Sequence, residues 1–150
     1  MKKATLTILA VAFVTSFAIS QTIDDGIKYL YYERVNSAKE TLQKVVAAKP
    51  NDALSIYWLG QAYLADKDIP GAKALYQKAL TAGVNDPWIW VGTAHADLMD
   101  NGDINAAKQK FEQAITATKG KKGVENADIL NAIGRANADG SSKQGDPGYG

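Results

Sequence analysis

From Val35 onward the apolar side chains return at helical spacing. Val35, Ala38, Leu42, Val45 and Val46 stand at offsets 0, 3, 7, 10 and 11 from the first of them. Ile69, Ala72, Tyr76, Ala79 and Leu80 repeat those offsets, and so do Ile104, Ala107, Phe111, Ala114 and Ile115. Each set lies on one face of an α-helix, with polar residues on the other face. Ahead of each set stands a second, shorter pattern. Gly26–Tyr29 and Gly60–Tyr63 place glycines 34 residues apart; Gly92–His95 and, more weakly, Gly134–Asn137 continue it. The chain therefore predicts antiparallel helix pairs, an all-α array built from one repeated unit.

The breaks fall where such pairs need them. Asp68 and Asp103 are placed to cap second helices, with Pro70 tolerated in a first turn. Asp86-Pro87 reads as a cap followed by proline at the first helical position. Gly83 and Pro50 close the units before them. The predicted units are 21–52, 53–86 and 87–119, with a partial one over 126–150 whose first helix covers Ala127 to Ala138.

A glycine inside a helix costs about 1 kcal/mol relative to alanine, so a close approach must offset it. The expectation is that Gly60 faces the second helix of its own unit. Ala72 would offer a matching small surface, Tyr63 would fill the space beside it, and Tyr76 and Leu59 would be the surrounding knobs. Gly92 and Gly134 would do the same in their units.

Leu59-Gly60, Tyr63, Ala72, Tyr76 and Ala79 resemble the tetratricopeptide repeat in identity and spacing. The first unit resembles it through Gly26, Tyr29, Ala38 and Pro50, although Asp25 stands where the family has leucine. The third resembles it through Trp88, Val91-Gly92, Ala107, Phe111 and Ala114, with three extra residues between its helices; the fourth keeps Ile133-Gly134. The resemblance implies a right-handed solenoid of antiparallel helix pairs, three repeats plus the first helix of a fourth. It also implies a concave groove lined by first helices, which on this chain holds Ile23 and Ile27, Tyr57 and Gln61, Ile89 and Thr93, Asn131 and Arg135. An exposed run of Ile, Tyr and Ile there suits a protein-binding patch. The lysine and asparagine pairs with which some relatives clamp a C-terminal carboxylate are missing from these positions. Gly145-Asp146-Pro147 resembles the opening of another helix, so the chain is expected to be the N-terminal part of a longer array.

The first twenty residues have a different character. Lys2 and Lys3 precede an apolar run from Leu6 to Phe17, and Ala18-Ile19-Ser20 ends it on small residues. This predicts a signal peptide over 1–20, cleaved after Ser20, ahead of a repeat domain over 21–150, and so export, to the periplasm of a bacterium or beyond the cell. The apolar run falls short of the roughly 20 residues that span a bilayer, and no stable membrane span is expected after cleavage. Loss of Lys2 and Lys3 from the 17 basic residues leaves 15 against 16 acidic, a net charge of −1. That balance gives no electrostatic case for nucleic acid. Without cysteine there is no disulfide, thiolate metal site or cysteine nucleophile.

Little else in the sequence suggests chemistry. His95, the single histidine, stands where Tyr29 and Tyr63 stand in their units and reads as a packing residue. HADLMDNGD gathers Asp97, Asp100 and Asp103, but a calcium loop starting at Asp97 would need oxygen ligands where Met99 and Lys108 stand. KGKKG lacks the phosphate-loop spacing. No catalytic residue, metal or cofactor is implied. The expected role is a non-enzymatic scaffold binding a protein or peptide segment in the groove. The alternative is an assembly adaptor within a larger envelope protein, self-associating or joined to a region that carries the activity.

Overall fold

A computed structural model describes residues 21–120 and 123–144, with side chains to residue 140; the predicted leader and Gly145-Asp146-Pro147 lie outside them. The described residues form seven helices and no strand: α1 (Ile23–Tyr31), α2 (Val35–Ala48), α3 (Ala53–Ala65), α4 (Ile69–Thr81), α5 (Pro87–Met99), α6 (Ile104–Ala117) and α7 (Ala127–Gln144). Most start on a side-chain cap. Thr22 and Asp25 form a reciprocal capping box on α1. Asp68 accepts from the Gly71 amide (2.9 Å), Asp86 from Trp88 (2.9 Å) and Asp103 from Asn105 (2.8 Å). Each satisfies an amide with no partner in its own helix. The last helix does not stop at Ala138. It runs on through Gly140, which is buried against Leu98 so closely that a Cβ there would lie 2.9 Å from Cβ of Leu98.

The turns inside the pairs fix the register of the repeat. Glu33 (φ 56°), Lys67 (φ 60°) and Asn101 (φ 57°) occupy the left-handed region at intervals of 34 residues. Each ends a first helix in the same way. The amide after it donates five residues back, Arg34 to Tyr29, Asp68 to Tyr63 and Gly102 to Asp97. Ion pairs recur at the same interval. Lys39 on α2 reaches Asp66 in the next unit, and Lys73 on α4 reaches Asp100 (2.9 Å) and also Asp97 (3.3 Å).

This register corrects the reading of the third unit. Residue 94, an alanine, is the counterpart of Gly26 and Gly60, and Gly92 stands two positions too early. The apparent three-residue insertion shrinks to a single extra residue in the turn, which has four residues between α5 and α6 and three between α3 and α4. The counterpart of Tyr29 and Tyr63 is Asp97, and that of Gln61 is His95.

Packing corrects the nature of the glycine contact as well. A Cβ on Gly60 would fall on the Tyr76 phenol, and so would a Cβ on Gly92. One fully buried aromatic ring from α4 thus fills notches in both α3 and α5. Leu42 fills the notch at Gly26 in the same way. The contact is a large knob in a hole, not the small-on-small crossing expected between Gly60 and Ala72. Ala38, Leu59, Ala72, Ala79, Ala107, Phe111 and Ala114 are buried around these contacts, with Tyr29 and Tyr63 half-buried beside them.

Gly134 departs from the expectation. It is exposed, with open space where its Cβ would be, because no helix among the described residues packs on that side of α7. The buried face of α7 is Ile129, Ala132, Ile133 and Ala136, and it lies mainly along α5, touching α6 much less. No helix of the described residues is long and apolar enough to cross a membrane.

Candidate functional site

Because α7 leans onto α5, its outer residues come within reach of α3. The Arg135 guanidinium stacks over the Trp58 ring, 5.0 Å from its centroid. Together α1, α3, α5 and α7 enclose a cleft. One lobe, of about 570 Å³, is lined by Ile27, Leu30 and Tyr31 of α1, Trp58, Gln61, Leu64 and Ala65 of α3, Lys67, His95 and Met99, and Arg135 and Asp139 of α7. The second, of about 390 Å³, is lined by Asp24 and Ile27, Leu54, Tyr57 and Trp58, Trp88, and Asp128, Asn131, Ala132 and Arg135. Ile27, Trp58 and Arg135 line both, so the lobes meet where the guanidinium lies on the indole.

On each helix the lining residues follow a helical stripe: Asp24, Ile27 and Tyr31; Leu54, Trp58, Gln61 and Ala65; Trp88, His95 and Met99; Asp128, Asn131, Arg135 and Asp139. Five of the eight groove positions expected from the sequence, Ile27, Tyr57, Gln61, Asn131 and Arg135, line the cleft. Ile23 instead packs against the core of the first pair, around Ala38, Leu42 and Leu59. Ile89 is fully buried among Ile56, Tyr76, Ala79 and Ala96, and the hydroxyl of half-buried Thr93 donates to its carbonyl (2.8 Å). The expected exposed run is thereby corrected: Ile89 and Tyr57 are both 0 % exposed. The two-residue register error at Gly92 misplaced Ile89 and Thr93, and with the 34-residue turn register the positions at the cleft become Trp88, His95 and Met99. Trp58 was overlooked, although it sits three residues before Gln61 on the same stripe.

Beneath the cleft runs a buried polar chain. The amide of Gln61 donates to the Tyr76 hydroxyl (3.3 Å), which donates to the Tyr57 carbonyl (3.0 Å). The Tyr57 ring packs edge-on to Trp58 (5.4 Å between centroids) and tilted on Trp88 (4.9 Å). Its own hydroxyl is buried without a hydrogen-bond partner among the described residues. Burial pushes that phenol up to about 12, with Arg135 opposing the shift, so it is neutral at ordinary pH. Burial raises Tyr76 further still. Nε2 of His95, 1 % exposed, lies 3.0 Å from the Asp139 carboxylate. It is out of line for a hydrogen bond, and both ring nitrogens lack one.

Nothing in this arrangement pairs a nucleophile with a base. His95 has a carboxylate beside it but no serine, threonine or lysine among the lining residues at hydrogen-bond distance from its ring. Asp97, Asp100 and Asp103 are taken up by Lys73, Lys110 and the α6 cap. Among the described residues no group of three or more potential ligands is gathered around a metal site.

The 34-residue interval of the turns is the period of the tetratricopeptide repeat. A tetratricopeptide repeat family model matches residues 29–91. These residues are tetratricopeptide repeats. The match takes in Tyr29, Gly60, Tyr63, Ala72, Tyr76 and Ala79 and stops just inside α5, so the third pair and α7 join the array on their geometry. No curated protein and no solved structure matches the chain. Tetratricopeptide repeats are in general protein-interaction modules, and the all-α repeat fold is shared here.

Proposed function

We propose that this protein is a non-enzymatic interaction module, delivered outside the cytoplasm by its first twenty residues, that holds a segment of a partner protein in the cleft between α1 and α7. The supporting observation is the composition of the cleft. Exposed Tyr31 and half-buried Trp58, Trp88 and Met99 supply apolar area, while Tyr57 and His95 bring buried polar atoms with no hydrogen-bond partner. Concave apolar surface with a few convergent polar groups is the usual form of a binding site. The leader reading is supported by Lys2, Lys3 and the apolar run to Phe17, and the periplasm is the destination it favours.

Site-specific photocrosslinking in the native envelope tests the reading. A crosslinking residue replaces Tyr31 at the rim of the cleft or, as control, Gln113 on the exposed side of α6. The expected outcome is a discrete adduct from position 31 that is missing from position 113. The same products from both positions would remove the cleft from consideration. Loss of the leader is read in parallel, from the mass and compartment of the mature chain.

A further inference from the structure

The two lobes of the cleft differ in charge, and the smaller one is short of positive charge. Asp24 lines it from α1 and Asp128 from α7, on opposite walls, and neither carboxylate takes part in an ion pair among the described residues. Among the described residues the one cation lining this lobe, Arg135, already lies over Trp58. The floor is aromatic: Tyr57, Trp58 and Trp88. The wholly buried Tyr57 carries a hydroxyl for which the described chain offers no hydrogen-bond partner.

We infer that the lobe formed by Asp24, Tyr57, Trp58, Trp88 and Asp128 receives a lysine or arginine side chain of the bound partner segment. This rests on the interaction role proposed above and specifies its chemistry. A carboxylate on each wall gives the lobe two negative charges against one positive, and an incoming ammonium or guanidinium brings them to balance. Its alkyl stem lies along the indoles, and its N–H groups approach the aromatic faces, which attract cations. The Tyr57 oxygen, which has no hydrogen-bond partner among the described residues, can accept from the incoming group. Arg135 on Trp58 shows the same pairing of cation and indole within the chain itself. The larger lobe, with Ile27, Leu30, Tyr31 and Met99, takes apolar neighbours of that residue.

Selection of peptides from a random linear library on the purified protein tests this. The expected result is a set of binders with lysine or arginine at one fixed position beside apolar residues. A synthetic binder in which norleucine replaces that residue should lose about tenfold in affinity, the scale of two carboxylate contacts in a partly solvated site. The protein carrying Asp24→Asn and Asp128→Asn should lose as much toward the basic peptide and nothing further toward the norleucine peptide. Affinity for the basic peptide should also fall with added salt. Circular dichroism checks that the helices survive. Tyr57→Phe, which keeps the ring in place, should weaken the basic peptide selectively and gives a second route to the answer. Binders without a basic preference, or with an acidic preference met by Lys67 and Arg135, would overturn the inference and leave the cleft as a binding site. If no peptide binds the parent protein, the interaction role falls with it.

Discussion

The hydroxyl of Tyr76 donates a 3.0 Å hydrogen bond to the carbonyl of Tyr57, from the second helix of a unit to the first. The same hydroxyl accepts from Gln61, so this buried contact joins the floor of the cleft to the core of the repeat. Tyr76→Phe keeps the ring between Gly60 and Gly92, takes the acceptor from the Gln61 side-chain amide, and leaves the Tyr57 carbonyl with its bond in the helix ladder alone. Stability to urea should fall by about 1–2 kcal/mol, the cost of a buried amide left without its acceptor and of one lost hydrogen bond. An unchanged unfolding midpoint would remove the hydroxyl from the account.

Glycines 60 and 134 occupy comparable places on their helices and should respond to alanine in opposite directions. At Gly60 the added methyl meets a buried ring whose hydroxyl is already held at its far end. Gly60→Ala should therefore destabilise by about 1–3 kcal/mol, despite the better helix propensity of alanine. At Gly134 the methyl meets open space, and Gly134→Ala should stabilise by up to about 1 kcal/mol. Thermal unfolding of the two variants decides; a common sign would contradict the notch.

Glu33 holds a left-handed conformation without a glycine's freedom. Glu33→Gly relieves a steric cost of about 1–2 kcal/mol, partly offset by the greater freedom of glycine when unfolded. A net gain of about 0.5–1 kcal/mol is expected in chemical denaturation. A loss would mean that the Glu33 side chain contributes more than its backbone costs.

Alkaline pH should unfold the array through its buried phenols. Tyr57 in the folded chain is raised to about 12 from the ordinary 10.0, and Tyr76 moves the same way. Above pH 10 the unfolded chain gains by losing these protons while the folded chain keeps them. Stability is therefore whole below 10 and falls as pH climbs toward 12. Lys39 and Lys73, raised by their hydrogen bonds to Asp66 and Asp100, push in the same direction, their stabilisation being full below 10.5. Both ion pairs lie at the surface, where solvent screens them, so theirs is the smaller part. Phenolate absorbance that is missing in Tyr57→Phe but present in the parent should appear with the loss of helix, near pH 12. Its appearance near 10, in an intact helical protein, would show that Tyr57 is open to water.

Much of the fold could be read along the chain. The stripes led by Val35, Ile69 and Ile104 are period signals that arise within one helix, and Asp68, Asp86 and Asp103 cap helices through neighbours two or three residues away. Local signals of this kind survive without knowledge of the partner helix. The cleft was less legible. Reading Gly92 as the partner of Gly60 moved the third helix by two positions, and a rotation of that size turns a buried Ile89 into an expected groove residue.

By itself, then, the sequence determined that the chain makes helix pairs, where most of them begin and end, and which face of each second helix turns inward. These depend on spacing and on contacts a few residues apart. Only the tertiary structure decided that Tyr76 enters two notches at once, that α7 leans across α5 until Arg135 meets Trp58, and that Gly134 faces open space. Those depend on how far apart whole helices stand and how each is turned about its axis, which is settled by packing between residues distant in the chain.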